Sequence, residues 1–150
     1  MTDFAVGTGG LPGMGPVIQQ TSRDFFRSHA WMLKRGIHLH PGTVDAGSVP
    51  TTKLRGGLVL VRVEAGTHKN KFVHPGHADA PTSGNVVQAV ILLEDVNMLN
   101  ESGAAADKST WGLYGGYIDE DLIFFSGIAQ GFIDDIKAKS KLILFEKTVP

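Results

Sequence analysis

Six histidines are the residues in this 150-residue chain whose types and spacing first invite chemistry. His38 and His40 are separated by one residue, so a strand would turn both rings to the same face. His74 and His77 lie three apart in a Pro-Gly loop, and two such pairs are the donor set of a tetrahedral metal site. A plainer expectation competes with it. Ile37 and Leu39 would face a core, leaving His38 and His40 on the solvent side. No activating glutamate stands nearby, and the partners that normally orient ligating imidazoles are missing from the pattern. His68, His74 and His77 sit among lysines in loops, where a solvated or contact-forming role suffices. The reading is that none of these histidines holds a metal.

Other chemistries fail on spacing. Gly7-Thr8-Gly9-Gly10 opens no helix after a strand, no Gly-Lys-Ser/Thr occurs, and Gly115-Gly116 precedes Tyr117-Ile118 rather than a helix start. No Gly-x-Ser-x-Gly elbow is present. Asp119-Glu120-Asp121 lacks the spaced oxygen ligands of a calcium loop and reads as a solvated turn. With no cysteine in the chain, disulfides, thiol catalysis and cysteine metal sites are excluded together. The sequence therefore predicts no enzyme, no catalytic residue and no cofactor.

The elements around these residues read as mainly β. The chain carries 19 glycines, which call for many turns and disfavour a helical bundle. After the turn Lys53-Leu54-Arg55-Gly56-Gly57, the run Leu58–Val63 predicts a strand that a polar loop joins to Lys71–His74 as a hairpin. Val86–Leu93 is the most apolar run. Apolar residues at both parities imply a strand covered on both faces, or a buried helix segment, and the breakers Gly84-Asn85 and Glu94-Asp95 favour the strand. Trp111–Ile118 predicts a strand with a bulge or close backbone approach at Gly115-Gly116. Ser126 is placed to cap a helix with Ile128, Phe132, Ile133 and Ile136 on one face, and Lys141–Lys147 closes the domain as a strand. Phe25–Leu33 suits a helix capped from Thr21-Ser22-Arg23-Asp24 or a strand, ending at Arg35-Gly36. Ile37–His40 alternates like a half-exposed strand. Asn97–Ser109 reads as a loop.

Residues 1–16 hold five glycines and two prolines with Asp3 as the one charge, so they cannot form a helix. Phe4, Val6, Leu11, Met14, Val17 and Ile18 are nonetheless spaced through this stretch and the residues just after it. That composition favours a flexible arm over residues 1–20 that lies down on a partner or a neighbouring copy. The competing reading is a frayed terminus packed on its own domain. Residues 21–150 then form a single β-rich domain.

Charged residues make up 19% of the chain, a low share that points to surface meeting another protein. The net charge is −1, so no field calls for nucleic acid or an acidic membrane. Residues 53–74 are basic and residues 94–121 acidic. Emerging on different faces, they would attract copies head to tail. Side by side, they neutralise each other within one subunit. No membrane span or export signal is legible.

The stretch KLRGGLVLVRVEAGTHKNKFVHP, followed by VVQAVILLEDVNM, resembles the head decoration proteins of tailed bacteriophages of the lambda type. The later GLYGGYIDEDL and GIAQGFIDDIKAKSKLILF fit the same order of strand, acidic turn, short helix and terminal strand. Coverage is roughly residues 42–147, with the Gly/Pro-rich segment in the place of the family's N-terminal arm. Ser22–His40 departs from the pattern in its length and aromatic content. The resemblance implies a small β-barrel or β-tulip-like core with an extended arm, and a virion protein without an active site. It implies trimers on the capsid's outer surface at three-fold positions, holding the major capsid protein against internal DNA pressure. Two rival expectations are a small β-barrel binding a ligand or metal through His38, His40, His74 and His77, and another virion component such as a tail-tube subunit.

Overall fold

β-Branched and aromatic residues fit a pleated, half-buried surface, and they mark most of the strands of this chain. A computed structural model describes residues 24–125 and 127–147. Its strands are β1 (Phe26–Leu39), β2 (Lys53–Leu54), β3 (Val59–Arg62), β4 (Phe72–Val73), β5 (Ala89–Leu92), β6 (Val96–Asn97), β7 (Lys108–Asp119) and β8 (Ile143–Glu146), with one α-helix, α1 (Gln130–Lys139). The fold is mainly β with one short helix.

The main sheet runs β1-β4-β3-β5-β7-β8, and β1 also pairs with β7. The expected hairpin is β3 against β4, in register at Val61↔Val73, with β5 on the other side of β3 at Val59↔Ile91. β7 is the most widely shared strand. It runs antiparallel to β5 at Ile91↔Leu113, antiparallel to β1 from Phe26↔Ile118 to Leu39↔Lys108, and parallel to β8 from Gly116↔Ile143. β2 and β6 form a separate two-stranded ladder.

Both faces of β3 and β5 are covered, which accounts for their unbroken apolar sequence. Val59, Val61, Ala89 and Ile91 enter one core cluster with Phe25, Leu113 and Ile118. Leu60, Val90 and Leu92 enter a second with Ile37, Leu39, Phe72 and Met98. α1 closes the first cluster through Ile136, which is fully buried, while Phe132 and the preceding Ile128 pack against it.

Several boundaries differ from the sequence expectations. Phe26–Leu39 is one continuous strand, and Arg35-Gly36 does not end it. Pairing with β7 carries the strand through Arg35-Gly36 to Leu39, with an irregular stretch between Ser28 and Met32. Gly36 has open space around it, so it relaxes the strand without breaking it. The close approach expected at Gly115 is present: a Cβ there would meet Leu33 Cδ1 at 2.9 Å. β7 begins at Lys108, inside the segment read as a loop. β5 is shorter than the run Val86–Leu93, and Val87 is exposed. Asp119-Glu120-Asp121 leads into a single 3-10 turn, with Asp119 Oδ1 accepting from the Asp121 N–H at 3.1 Å. α1 begins after Ala129 without a side-chain cap, and the expected cap, Ser126, lies outside the described residues. The same is true of the arm: Phe4, Val6, Leu11, Met14, Val17 and Ile18 all lie outside them. No described helix is long and apolar enough to cross a membrane.

Candidate functional site

His38 and His40 part company where β1 ends. His38, still in the alternating strand, is exposed and meets Ser109 Oγ at 2.9 Å. His40 follows the last strand residue, and Pro41-Gly42 turns the chain there. Alternation therefore no longer governs its ring, which is 5% exposed rather than on the solvent face. The turn is anchored by Thr43, whose hydroxyl donates to the His40 carbonyl at 2.7 Å, with the Phe72 carbonyl of β4 at 3.3 Å.

Around His40 the fold gathers histidines from two other segments. His68, in the loop between β3 and β4, lies with its ring centroid 4.1 Å from that of His40. His77, in the loop after β4, is at 4.6 Å from His40, and His74 stands edge-on to His77 at 5.5 Å. His68, His74 and His77 are therefore half-buried contact residues. Asp79 is not among the residues singled out by type and spacing, yet its Oδ2 accepts from His40 Nε2 at 2.8 Å. The legible signal was the Pro75-Gly76 turn, which folds His74, His77 and Asp79 back onto one another.

Hydrogen bonds fix the tautomers. The Gly42 N–H donates to His40 Nδ1 at 2.8 Å, the Val44 N–H to His74 Nδ1 at 3.1 Å, and the Asp79 N–H to His77 Nδ1 at 3.0 Å. A main-chain N–H can only donate, so each Nδ1 offers its lone pair and each neutral ring carries its proton on Nε2. Burial, then the neighbouring His77 and His40, holds the His74 ring below the ordinary histidine range. The hydrogen bond from His40 lowers the Asp79 carboxyl.

Ligand atoms of His40, His77 and Asp79 lie within 4.8 Å of one another, a spacing that would suit a cation. The donors oppose it. A ring bound to metal through Nε2 must carry its remaining proton on Nδ1, where it normally donates to a carbonyl or carboxylate. Here that position faces a main-chain N–H.

Beside His74 lies a cavity of about 180 Å³, lined also by Val44, Leu58, Pro75 and Phe125. Small-molecule sites run to roughly 300–1,000 Å³, so this space takes no more than a fragment.

A second feature is an exposed ribbon. The β1 segment from Ala30 to Gly36 is exposed throughout, and Trp31, Met32 and Leu33 lie on it. Trp111 of β7, opposite Gly36 in the register, is 48% exposed, with Lys34 Nζ 5.0 Å above its ring. Among the described residues the other edge of β1 pairs only at Leu39↔Phe72, so a long strand edge stays open next to large apolar side chains. Native sheets usually blunt or cover such edges.

Charges from the basic and acidic stretches meet within the subunit. Lys71 Nζ lies 2.9 Å from Asp107, and Asp95 accepts from the Gly56 N–H at 2.7 Å. No family model, curated protein or solved structure matches this chain.

Proposed function

We propose that this chain is a structural virion protein that binds the outer surface of a tailed-bacteriophage capsid. In this reading it sits as trimers at three-fold positions and cements the major capsid protein against internal DNA pressure. The exposed β1–β7 ribbon carries the proposal. Among the described residues, a strand edge left open along Trp31, Met32 and Leu33, with Trp111 exposed on the neighbouring strand, is a surface suited to another protein chain. The ribbon supplies the contact between copies. The arm residues Phe4, Val6, Leu11, Met14, Val17 and Ile18, just upstream of it in sequence, add to an exposed sheet edge of the capsid.

The pairing of β1 with both β7 and β4 is the arrangement a small closed barrel requires, and we take the domain to be one. Catalysis, cofactors, metal and nucleic acid have no part in this reading. The closed hydrogen bonding of the histidines and the small cavity at His74 favour it over a ligand- or metal-binding barrel.

The test is sedimentation with expanded heads that lack a decoration protein, alongside light scattering of the free protein. The expected result is saturable co-sedimentation and a trimer that the double variant Trp31→Ser/Trp111→Ser weakens at least tenfold, while the protein stays folded. Failure to bind heads at micromolar concentration would overturn the reading.

A further inference from the structure

The three backbone-held histidines tie together two loops that nothing in the proposed virion role requires to be tied in this way. His40 and Val44 belong to the segment that leaves β1, and His74, His77 and Asp79 to the segment that leaves β4. The Val44 N–H to His74 Nδ1 bond crosses directly between them, as does the His40 Nε2 bond to Asp79. We propose that the Val44–His74 tie is an acid-operated latch, in which protonation of His74 releases the loop after β1 from the loop after β4.

The chemistry follows from where a second proton must go. In a neutral ring already protonated on Nε2, the only free lone pair is on Nδ1. At His40, His74 and His77 that lone pair is held by the N–H of Gly42, Val44 and Asp79 respectively. An imidazolium at His74 would set N–H against N–H, so the added proton breaks the bond that crosses between the two loops.

The nearby carboxylates are engaged elsewhere. Asp79 is held by His40 rather than by His74. Asp107, ahead of β7, is paired with Lys71, whose Nζ also faces His68 Nδ1 at 3.3 Å. Asp45, after the β1 turn, is held by Arg55. A metal would meet the same obstacle as a proton at Nδ1, and it would also have to displace the Nε2 proton. The proton is therefore the ligand this geometry suits.

The sign follows from His74, whose ring is held below its ordinary value of 6.5. The unfolded chain then takes up protons before the folded one does. The stabilisation is complete above about pH 6.5 and is lost as pH falls through the folded value. Asp79, lowered from 3.8, acts in a separate and more acidic window.

The experiment is amide hydrogen exchange on the full chain at pH 7.5 and 5.5, corrected for intrinsic rates. Imidazole nitrogen shifts measured at the higher pH report the tautomers. Expected are Nε2–H tautomers at neutral pH and at least a tenfold loss of protection at Val44 on acidification. The β3 and β5 amides of Leu60 and Val90 should hold their protection. The variant His74→Asn keeps an acceptor near the Nδ1 position but cannot charge, and it should remove the pH dependence at Val44. Unchanged protection in the wild type would overturn the latch, as would Nδ1–H tautomers. Loss spread equally to Leu60 and Val90, or one equivalent of zinc surviving dialysis, would do the same.

Discussion

Asp45 shows how much one side chain can organise. It is fully buried, and its carboxylate accepts from Arg55 Nε at 2.7 Å, Arg55 Nη2 at 2.9 Å and the Gly47 N–H at 3.1 Å. Burial alone would raise this carboxyl. Hydrogen bonds from the Arg55 side chain, the Arg55 N–H and the Gly47 N–H outweigh it and lower the group. Arg55 in turn lies 3.6 Å over the Phe124 ring. Asp45→Asn keeps the shape but removes the charge and one set of acceptors. Breaking a buried pair typically costs about 3–5 kcal/mol, and partial exposure of the Arg55 side chain lowers the expectation here to roughly 2–3 kcal/mol. Urea denaturation at pH 7 measures it, and a loss below about 0.5 kcal/mol would mean that Arg55 finds another partner. Neither Asp45 nor Asp79 was legible as a site residue, because their partners are set by how loops fold back rather than by a local pattern. His40 was misplaced for a related reason: strand alternation predicts a side only while the strand lasts.

Elements were read best where composition alone decides them. Leu58–Val63, Lys71–His74 and the closing strand are β because their apolar residues must be covered on one or both faces. Phe25–Leu33 could not be assigned from its own residues, since its state depends on pairing with β7 some eighty residues later. Helix α1 was legible through its apolar face, although it lacks a side-chain cap and contains Gly131. Its stability must then come from burial, assisted by Lys137 and Lys139 at its C-terminal end. That makes Ile136 the residue on which the element depends. Ile136→Ala should cost about 2–4 kcal/mol, within the range for deleting a fully buried aliphatic side chain. Leu144→Ala, at a side chain 54% exposed on β8, should stay within about 0.5 kcal/mol. Equal losses at the two positions would show that α1 is held by something other than its buried face.

At the scale of the whole molecule, folding and attachment should separate. Among the described residues the two core clusters run from Phe25 to Ile143, and this apolar interior is expected to hold without the first sixteen residues. Deleting residues 1–16 should therefore leave the thermal transition of the core within a few degrees of wild type while abolishing or greatly weakening attachment to expanded heads. The energetics make the arm sensitive. Each backbone hydrogen bond to a capsid edge contributes about 0.5–1.5 kcal/mol net, and burying Phe4, Leu11 or Met14 adds roughly 1.5–3 kcal/mol apiece. Ordering the backbone costs on the order of 1–2 kcal/mol per residue, so these terms nearly cancel and the loss of one anchor is felt. On the proposed virion role, multiple copies on a lattice would convert a weak arm contact into firm occupancy. Phe4→Ala and Leu11→Ala should lower head occupancy in a sedimentation assay without moving the melting temperature of the free protein. Equal occupancy for the truncated and full-length chains would assign attachment to the folded domain, with the β1–β7 ribbon as the surface to probe next.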